Sequence, residues 1–246
     1  MNKSVFRIAM WSGPRNISTS LMRSWESRGD TIVTDEPLYG YYLLKTGANH
    51  PMKEEVIQSQ ETDWRKVAKW LNGPVENGKV IWYQKHMAQH VLPGMDINWI
   101  SGFNNCFLIR EPKEVLASYF AKRQIASLDE VGYRQQVELL EFEKVRTDNI
   151  PPVLDCKDIL ENPEKLITLL CQRLGITFTK KMLSWSKGRR ITDGIWGKHW
   201  YDQVEKSTQF LPYRRKKIEL PQELREVYKE AKEYYDFLKF YCIKSK

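Results

Sequence analysis

The chain has 246 residues, of which 41% are apolar and 28% charged, and it carries a net charge of +8. That length and apolar share suit one large domain over residues 1–246 with a sizeable core, and they exclude a disordered or fibrous chain. The excess of cations points to an anionic ligand, but Lys and Arg are spread without a long basic tract, which favours a small polyanion over nucleic acid.

In chain order, residues 5–11 form a short apolar run that stops at Ser12, Gly13 and Pro14, the pattern of a buried strand entering a tight turn. Ser18, Thr19 and Ser20 then precede Leu21, Met22 and Trp25, an apolar set at helical spacing that ends at Gly29, so the hydroxyl run should open a helix. Strand, tight loop and helix start make an anion cradle. The N–H groups of a helix's first turn lack partners within the helix and carry the positive end of its dipole. The loop differs from a Walker A motif: counted from Gly13, Ser18, Thr19 and Ser20 stand where that motif has Gly, Lys and the magnesium-binding hydroxyl. The cation is Arg15, placed earlier, and a planar guanidinium can grip a phosphate or sulfate without a metal.

Residues 31–34 read as a β-branched strand stopped by Pro37, which leaves Asp35 and Glu36 at its end. A short helix over 38–45 carries Tyr39, Tyr41 and Tyr42 and closes at Gly47. Residues 48–78 should hold two helices, the second capped by Thr62 and ended by Gly73 and Pro74. A buried strand over 79–83 gives way to Gln84, Lys85 and His86, and another over 105–109 to Arg110, Glu111 and Pro112. The amphipathic helix 113–123 carries Ser118, eight residues after Arg110, and a longer helix over 129–149 starts at a capping Asp129. A strand at 152–155 precedes a helix over 164–174 closed by Gly175. Residues 186–220 read as a long irregular stretch dense in Gly, cations and Trp, a composition that marks a functional loop. Residues 221–242 form a C-terminal packing helix.

Five short apolar strands separated by helices predict an α/β fold, a three-layer P-loop-type architecture with a central parallel sheet of about five strands flanked by helices. Ligands in such sheets bind at the carboxyl ends of strands. Four strand ends carry a candidate at once: Arg15, Glu36, Lys85 with His86, and Arg110. No stretch of about 18 apolar residues occurs, and the N-terminal run is interrupted by Arg7 with no cleavage-site pattern, so a cytoplasmic protein without a membrane span is expected. Cys106, Cys156, Cys171 and Cys242 are widely spaced, which predicts buried free thiols. His86 and His90 have i, i+4 spacing but lack the zincin Glu, so no metal site is expected. Nothing in the composition specifies an oligomeric state.

The segment Gly13-Pro14-Arg15-Asn16-Ile17-Ser18-Thr19-Ser20 resembles the 5′-phosphosulfate loop of the sulfotransferases that use 3′-phosphoadenosine 5′-phosphosulfate (PAPS). Arg110 with Ser118 resembles that family's 3′-phosphate signature. Gln84-Lys85-His86 resembles the Lys-Thr-His segment of its cytosolic members, whose His is the catalytic base, and Asp35-Glu36-Pro37 the acidic strand end of other branches, where Glu takes that role. Lys187-Gly188-Arg189 partly resembles the late segment that closes over the 3′-phosphate. The likeness runs from residue 5 to about residue 200, with departures: Arg15 replaces a Lys, Lys85 is shifted by one position, and Ser186 replaces an Arg.

The resemblance implies transfer of a sulfuryl group from PAPS, a co-substrate used without metal, to a hydroxyl or amine of a small-molecule or carbohydrate acceptor. Gly13, Arg15, Asn16, Ile17, Ser18, Thr19, Ser20, Arg110, Ser118, Lys187, Gly188 and Arg189 would hold the donor. Arg15, Lys85 and either Glu36 or His86 would perform the chemistry. His86 has the more suitable ordinary pKa, whereas Glu36 needs an apolar setting to act near neutrality. Two other classes remain open: a P-loop phosphotransferase, which needs a Lys and magnesium ligands that the loop lacks, and a non-catalytic nucleotide-binding protein, suggested by charge alone.

Overall fold

The computed structural model describes residues 5–75, 79–123, 127–215 and 217–244. The first third contains β1 (Phe6–Ser12), α1 (Ser18–Glu26), β2 (Thr31–Asp35), α2 (Tyr39–Thr46), α3 (Lys53–Ser59), α4 (Trp64–Leu71) and β3 (Ile81–Met87). After a 3-10 turn at Ala88–His90 come β4 (Asn104–Ile109), α5 (Pro112–Arg123), α6 (Leu128–Val131), α7 (Tyr133–Thr147) and β5 (Val153–Asp155). The last third holds α8 (Cys156–Glu161), α9 (Pro163–Arg173), α10 (Gly197–Trp200), α11 (Asp202–Lys206) and α12 (Arg225–Phe240).

All five strands are parallel, in the order β2-β3-β1-β4-β5. From β1 the chain passes to the edge strand β2, returns as β3 between the two, then crosses to β4 on the other side of β1. That reversal opens a crevice above the carboxyl end of β1, where such sheets bind ligands. Strand alternation divides the core. Ala9, Trp11, Trp82, Phe107 and Ile109 face α4, α5, α7 and α12, while Ile8, Met10, Tyr83, Cys106 and Leu108 face α1, α8 and α9. Each fully buried Leu, Ile or Phe in these layers contributes about 1.5–3 kcal/mol, which is how a sheet with short strands is held rigid under its loops.

The expected parallel α/β sheet is present, and several local boundaries differ. β3 runs through Met87, so Gln84, Lys85 and His86 lie within the strand and not beyond it. Asp63, not Thr62, caps α4 by accepting from the Arg65 N–H. Gly132, at φ 74°, breaks the helix expected over 129–149 into α6 and α7. Its cap is Ser127, in a reciprocal capping box with Glu130, and not Asp129. The irregular stretch 186–220 includes α10 and α11. All four cysteines are free and buried. Among the described residues no helix is long and apolar enough to cross a membrane.

Candidate active site

β1 ends in a loop that only certain residues can form. A Cβ at Gly13 would sit 2.3 Å from the carbonyl oxygen of Val131, so a side chain cannot be accommodated without moving backbone. Arg15 adopts a φ of 60°, a left-handed conformation that costs a non-glycine residue roughly 1–3 kcal/mol and tends to be kept at functional sites. Asn16 Nδ2 donates to the Leu108 carbonyl at 2.9 Å and pins the loop to β4. The N-cap of α1 is Ile17, with no side-chain cap and no acidic residue in the first turn. Ser18, Thr19 and Ser20 therefore begin the helix without capping it. Its first-turn N–H groups and positive dipole end are left for an outside anion.

Residues far apart in sequence converge on this loop. Arg15 Nε donates to Ser118 Oγ at 2.9 Å, and Arg110 Nη1 donates to the Arg15 carbonyl at 2.9 Å. Arg110 Nε also donates to Glu114 at 2.8 Å, a carboxylate that accepts from the Tyr213 hydroxyl at 2.7 Å. Burial, and then the positive charge of Arg110, lower the pKa of Arg15. Two guanidiniums thus interact, with the Glu114 carboxylate paired to Arg110, and a bound anion would relieve their repulsion.

A second group forms at the ends of β2 and β3, where Asp35 and Lys85 stand in register. Lys85 Nζ donates to Asp35 Oδ1 at 2.7 Å, Glu36 Oε1 at 2.6 Å and the Tyr201 hydroxyl at 2.7 Å. The other Asp35 oxygen accepts from Tyr201 at 2.7 Å and from the Gly194 N–H at 3.1 Å. Burial alone would lower the Lys85 pKa, but the two carboxylates more than reverse this and hold it well above its usual value. Glu36, at φ 42°, has no partner for Oε2 among the described residues, and its side chain is 12% exposed. Burial raises its pKa, with Lys85 opposing and Asp35 adding to the rise. The group is suited to accepting a proton from something in the crevice.

His86 does not join this site. Adjacent strand residues point to opposite faces, so Lys85 faces the α1 side while His86 enters the other layer. There its ring stacks on Trp11 at 4.3 Å and lies 5.9 Å from Trp99, with Nε2 3.1 Å from Gln84 Oε1. Burial pushes its pKa down to about 3. His86 is a core ring in the layer opposite the carboxylates, whereas the sequence makes it one of the two candidate bases. Lys187, Gly188 and Arg189 are likewise not brought to the loop. The Lys187 and Arg189 side chains are exposed, and the Gly188 N–H donates to the Glu205 carbonyl at 2.8 Å. The neighbouring Arg190 pairs at 3.5 Å with Glu26 in the last turn of α1, the end farthest from Arg15.

Sequence reading missed Tyr201, Gly194 and the buried Arg23–Asp193 pair at 2.6 Å, which fasten residues 190–201 over Asp35 and α1. Only the density of Trp and Tyr in that stretch hinted at them. A cleft of about 650 Å³, lined by Asp35, Pro37, Gln60, Trp70 and Trp196 among others, opens beside Asp35.

A family model described as a sulfotransferase domain matches residues 6–240. Two Arabidopsis thaliana proteins, named branched-chain-amino-acid aminotransferase-like protein 2 and protein 1, are 35% and 36% identical to this chain over 204 residues. The match covers 82% of this chain and 36% of either relative, so the chain spans about a third of the length of the curated relatives it matches. The sulfotransferase domain of the Synechococcus PCC 7002 olefin synthase shares the fold, with a TM-score of 0.51 at 17% identity over 96% of both chains.

Proposed function

Because this chain belongs to the sulfotransferase-domain family, we propose that it is a PAPS-dependent sulfotransferase acting on a hydroxyl or amine of a small-molecule or carbohydrate acceptor. The observation that carries this reading is the convergence of Arg15, Arg110 and Ser118 on an uncapped helix start. Arg15 and the first-turn amides of α1 suit the 5′-phosphosulfate, and Arg110 with Ser118 suits a 3′-phosphate, each through charge-assisted hydrogen bonds.

In the transfer, the acceptor oxygen forms a bond to sulfur as the bond from sulfur to the 5′-phosphate oxygen breaks. The electron pair and growing negative charge pass to that phosphate, where Arg15 and the helix amides stabilise them. Glu36 takes the acceptor's proton, and Lys85 holds Glu36 in place through its 2.6 Å contact. Asp35 and Tyr201 fix Lys85 in turn. The aminotransferase-like name of the plant relatives belongs to proteins most of whose length lies outside the match, and it adds no role for these residues.

Calorimetry with 3′-phosphoadenosine 5′-phosphate (PAP), AMP and ADP tests the donor site. A 3′-phosphate contact should make PAP bind about 10- to 100-fold tighter than AMP, and equal affinities would remove the assignment. Incubation with labelled PAPS and a metabolite extract, read by mass spectrometry, identifies the acceptor.

A further inference from the structure

Beyond the carboxylates at the end of β2 lies a set of buried polar groups that the transfer step does not use. His90 is 1% exposed and its ring stacks against Tyr39 and Tyr42, at 5.0 and 4.7 Å, yet neither ring nitrogen has a partner among the described residues. His50 is 8% exposed. Its Nδ1 shares a 2.7 Å hydrogen bond with the Tyr39 hydroxyl, and its Nε2 has no partner among the described residues. Arg123 has a side chain 8% exposed, lies over the Tyr119 ring at 5.7 Å, and meets one carboxylate loosely, Glu130 at 3.7 Å. Its Nη1 also has no partner among the described residues.

These side chains come from a loop, a 3-10 turn and the end of α5, and the two histidines share the same neighbours. Tyr39 and Tyr42 lie 5.6 and 5.8 Å from His50 as well as against His90. Burial, and then the charge of Arg123, lower the His50 pKa to about 3. The same guanidinium acts on Tyr39 and Tyr42, and Tyr39 also feels Glu36. The Tyr39 N–H donates to the Glu36 carbonyl at 3.1 Å, and the Tyr39 ring meets that of Trp196 at 5.2 Å. The Trp196 indole N–H donates to the Tyr201 hydroxyl at 3.2 Å, so the cluster adjoins the proton-accepting group. One orphaned ring nitrogen could be a cost of packing. Three orphaned nitrogens on two histidines around two shared tyrosines, with a fourth on Arg123 over Tyr119, indicate a binding site, because a buried donor without a partner is disfavoured and a charged one strongly so.

We propose that Arg123, His50 and His90 form the acceptor subsite and that the acceptor is a hydroxy acid, its carboxylate held by Arg123 Nη1 and a histidine N–H while its hydroxyl reaches Glu36. The assignment rests on the sulfuryl-transfer reading. Charge selects the class: both histidines are kept neutral by burial, which leaves Arg123 as the cluster's cation, partly offset by Glu130. One cation and neutral N–H donors match a flat monoanion better than a phosphate dianion. The tyrosine rings supply apolar walls for the carbon skeleton.

The test is calorimetry on the full chain saturated with PAP, using glycolate, γ-hydroxybutyrate and para-hydroxyphenylacetate as probes, each against its amide. At least one acid should bind about 10- to 100-fold tighter than its amide. Arg123→Gln should abolish that preference by weakening the acid while the amide stays within about threefold. Tight PAP binding with no acid preference overturns the subsite and leaves the donor reading intact, as does a variant that weakens acid and amide equally. If Arg123→Gln does not fold, the wild-type comparison decides, joined by His90→Gln, which should weaken the acid selectively. If PAP itself fails to bind, the donor reading falls, and the same acid–amide comparison without nucleotide still decides whether the cluster reads a carboxylate.

Discussion

Glu36→Gln keeps the shape of the side chain and removes its capacity to take a proton. General-base action contributes about 10²- to 10⁴-fold, or roughly 2.7–5.4 kcal/mol of barrier, so kcat should fall by that factor. PAP affinity should not change, because Glu36 touches Lys85 and not Arg15, Arg110 or Ser118. Stability should move the other way. Burial raises the Glu36 pKa, so the folded protein holds this proton more tightly than the unfolded chain does. Folding therefore loses stability as pH climbs from the unfolded value, about 4.3, through the raised folded value. Near neutrality the Gln variant, with no charge to bury, should melt at or above the wild-type temperature, and the difference should shrink in mild acid. Lys85 keeps Asp35 and Tyr201 in the variant, so its ammonium is not stranded. Labelled-sulfate transfer measured across pH, with calorimetric melting on the same samples, reads both effects. The wild-type rate should rise with pH through a pKa raised above the ordinary Glu value, and the variant's residual rate should be flat. A variant within about tenfold of wild-type kcat, or one markedly less stable near neutral pH, would refute Glu36 as a buried base.

His86→Phe should keep kcat within about tenfold and leave the pH profile unchanged, since the ring packs against Trp11 and near Trp99 and its polar contact is to Gln84; a larger loss would return His86 to the chemistry. Lys85→Met leaves Asp35 and Glu36 facing each other without a cation and should cost about 3–5 kcal/mol, lowering Tm by roughly 6–20 °C in a chain of this size. A melting shift of a degree or two would contradict that. Gly13→Ala places a Cβ against the Val131 carbonyl and should weaken PAP binding more than about tenfold, as read by calorimetry. Turnover should persist in EDTA, because Arg15 and backbone amides supply the positive charge at the leaving group. Loss of activity that magnesium restores would favour the phosphotransferase class.

Much of the donor loop is legible in the amino-acid order. β1, β2 and β4 are apolar runs cut off by Gly-Pro or Pro, and the spacing from Arg110 to Ser118 carries from strand end to helix face. β3 is less legible because Gln84, Lys85 and His86 are polar, and polar residues after an apolar run imitate a loop. Placed inside a strand, neighbours separate to opposite faces, so Lys85 and His86 cannot serve one site. The late segment fails for a different reason. Tyr201 and Asp193 find partners 166 and 170 positions away, and no local pattern encodes a contact of that span.

Those spans also bear on how the molecule is made. β1, β2 and β3 lie within the first 87 residues, but β1 needs β4 on its other side, and Asp35 needs Gly194 and Tyr201. Until roughly four-fifths of the chain has left the ribosome, Lys85 and its two carboxylates are an incompletely satisfied polar cluster at the carboxyl end of a half-built sheet. Closing loops of that length is slow and leaves unpaired strand edges open to misassembly. A nascent chain that stalls before α11 should therefore be a chaperone client, and docking of the segment around Tyr201 should be among the last steps of folding.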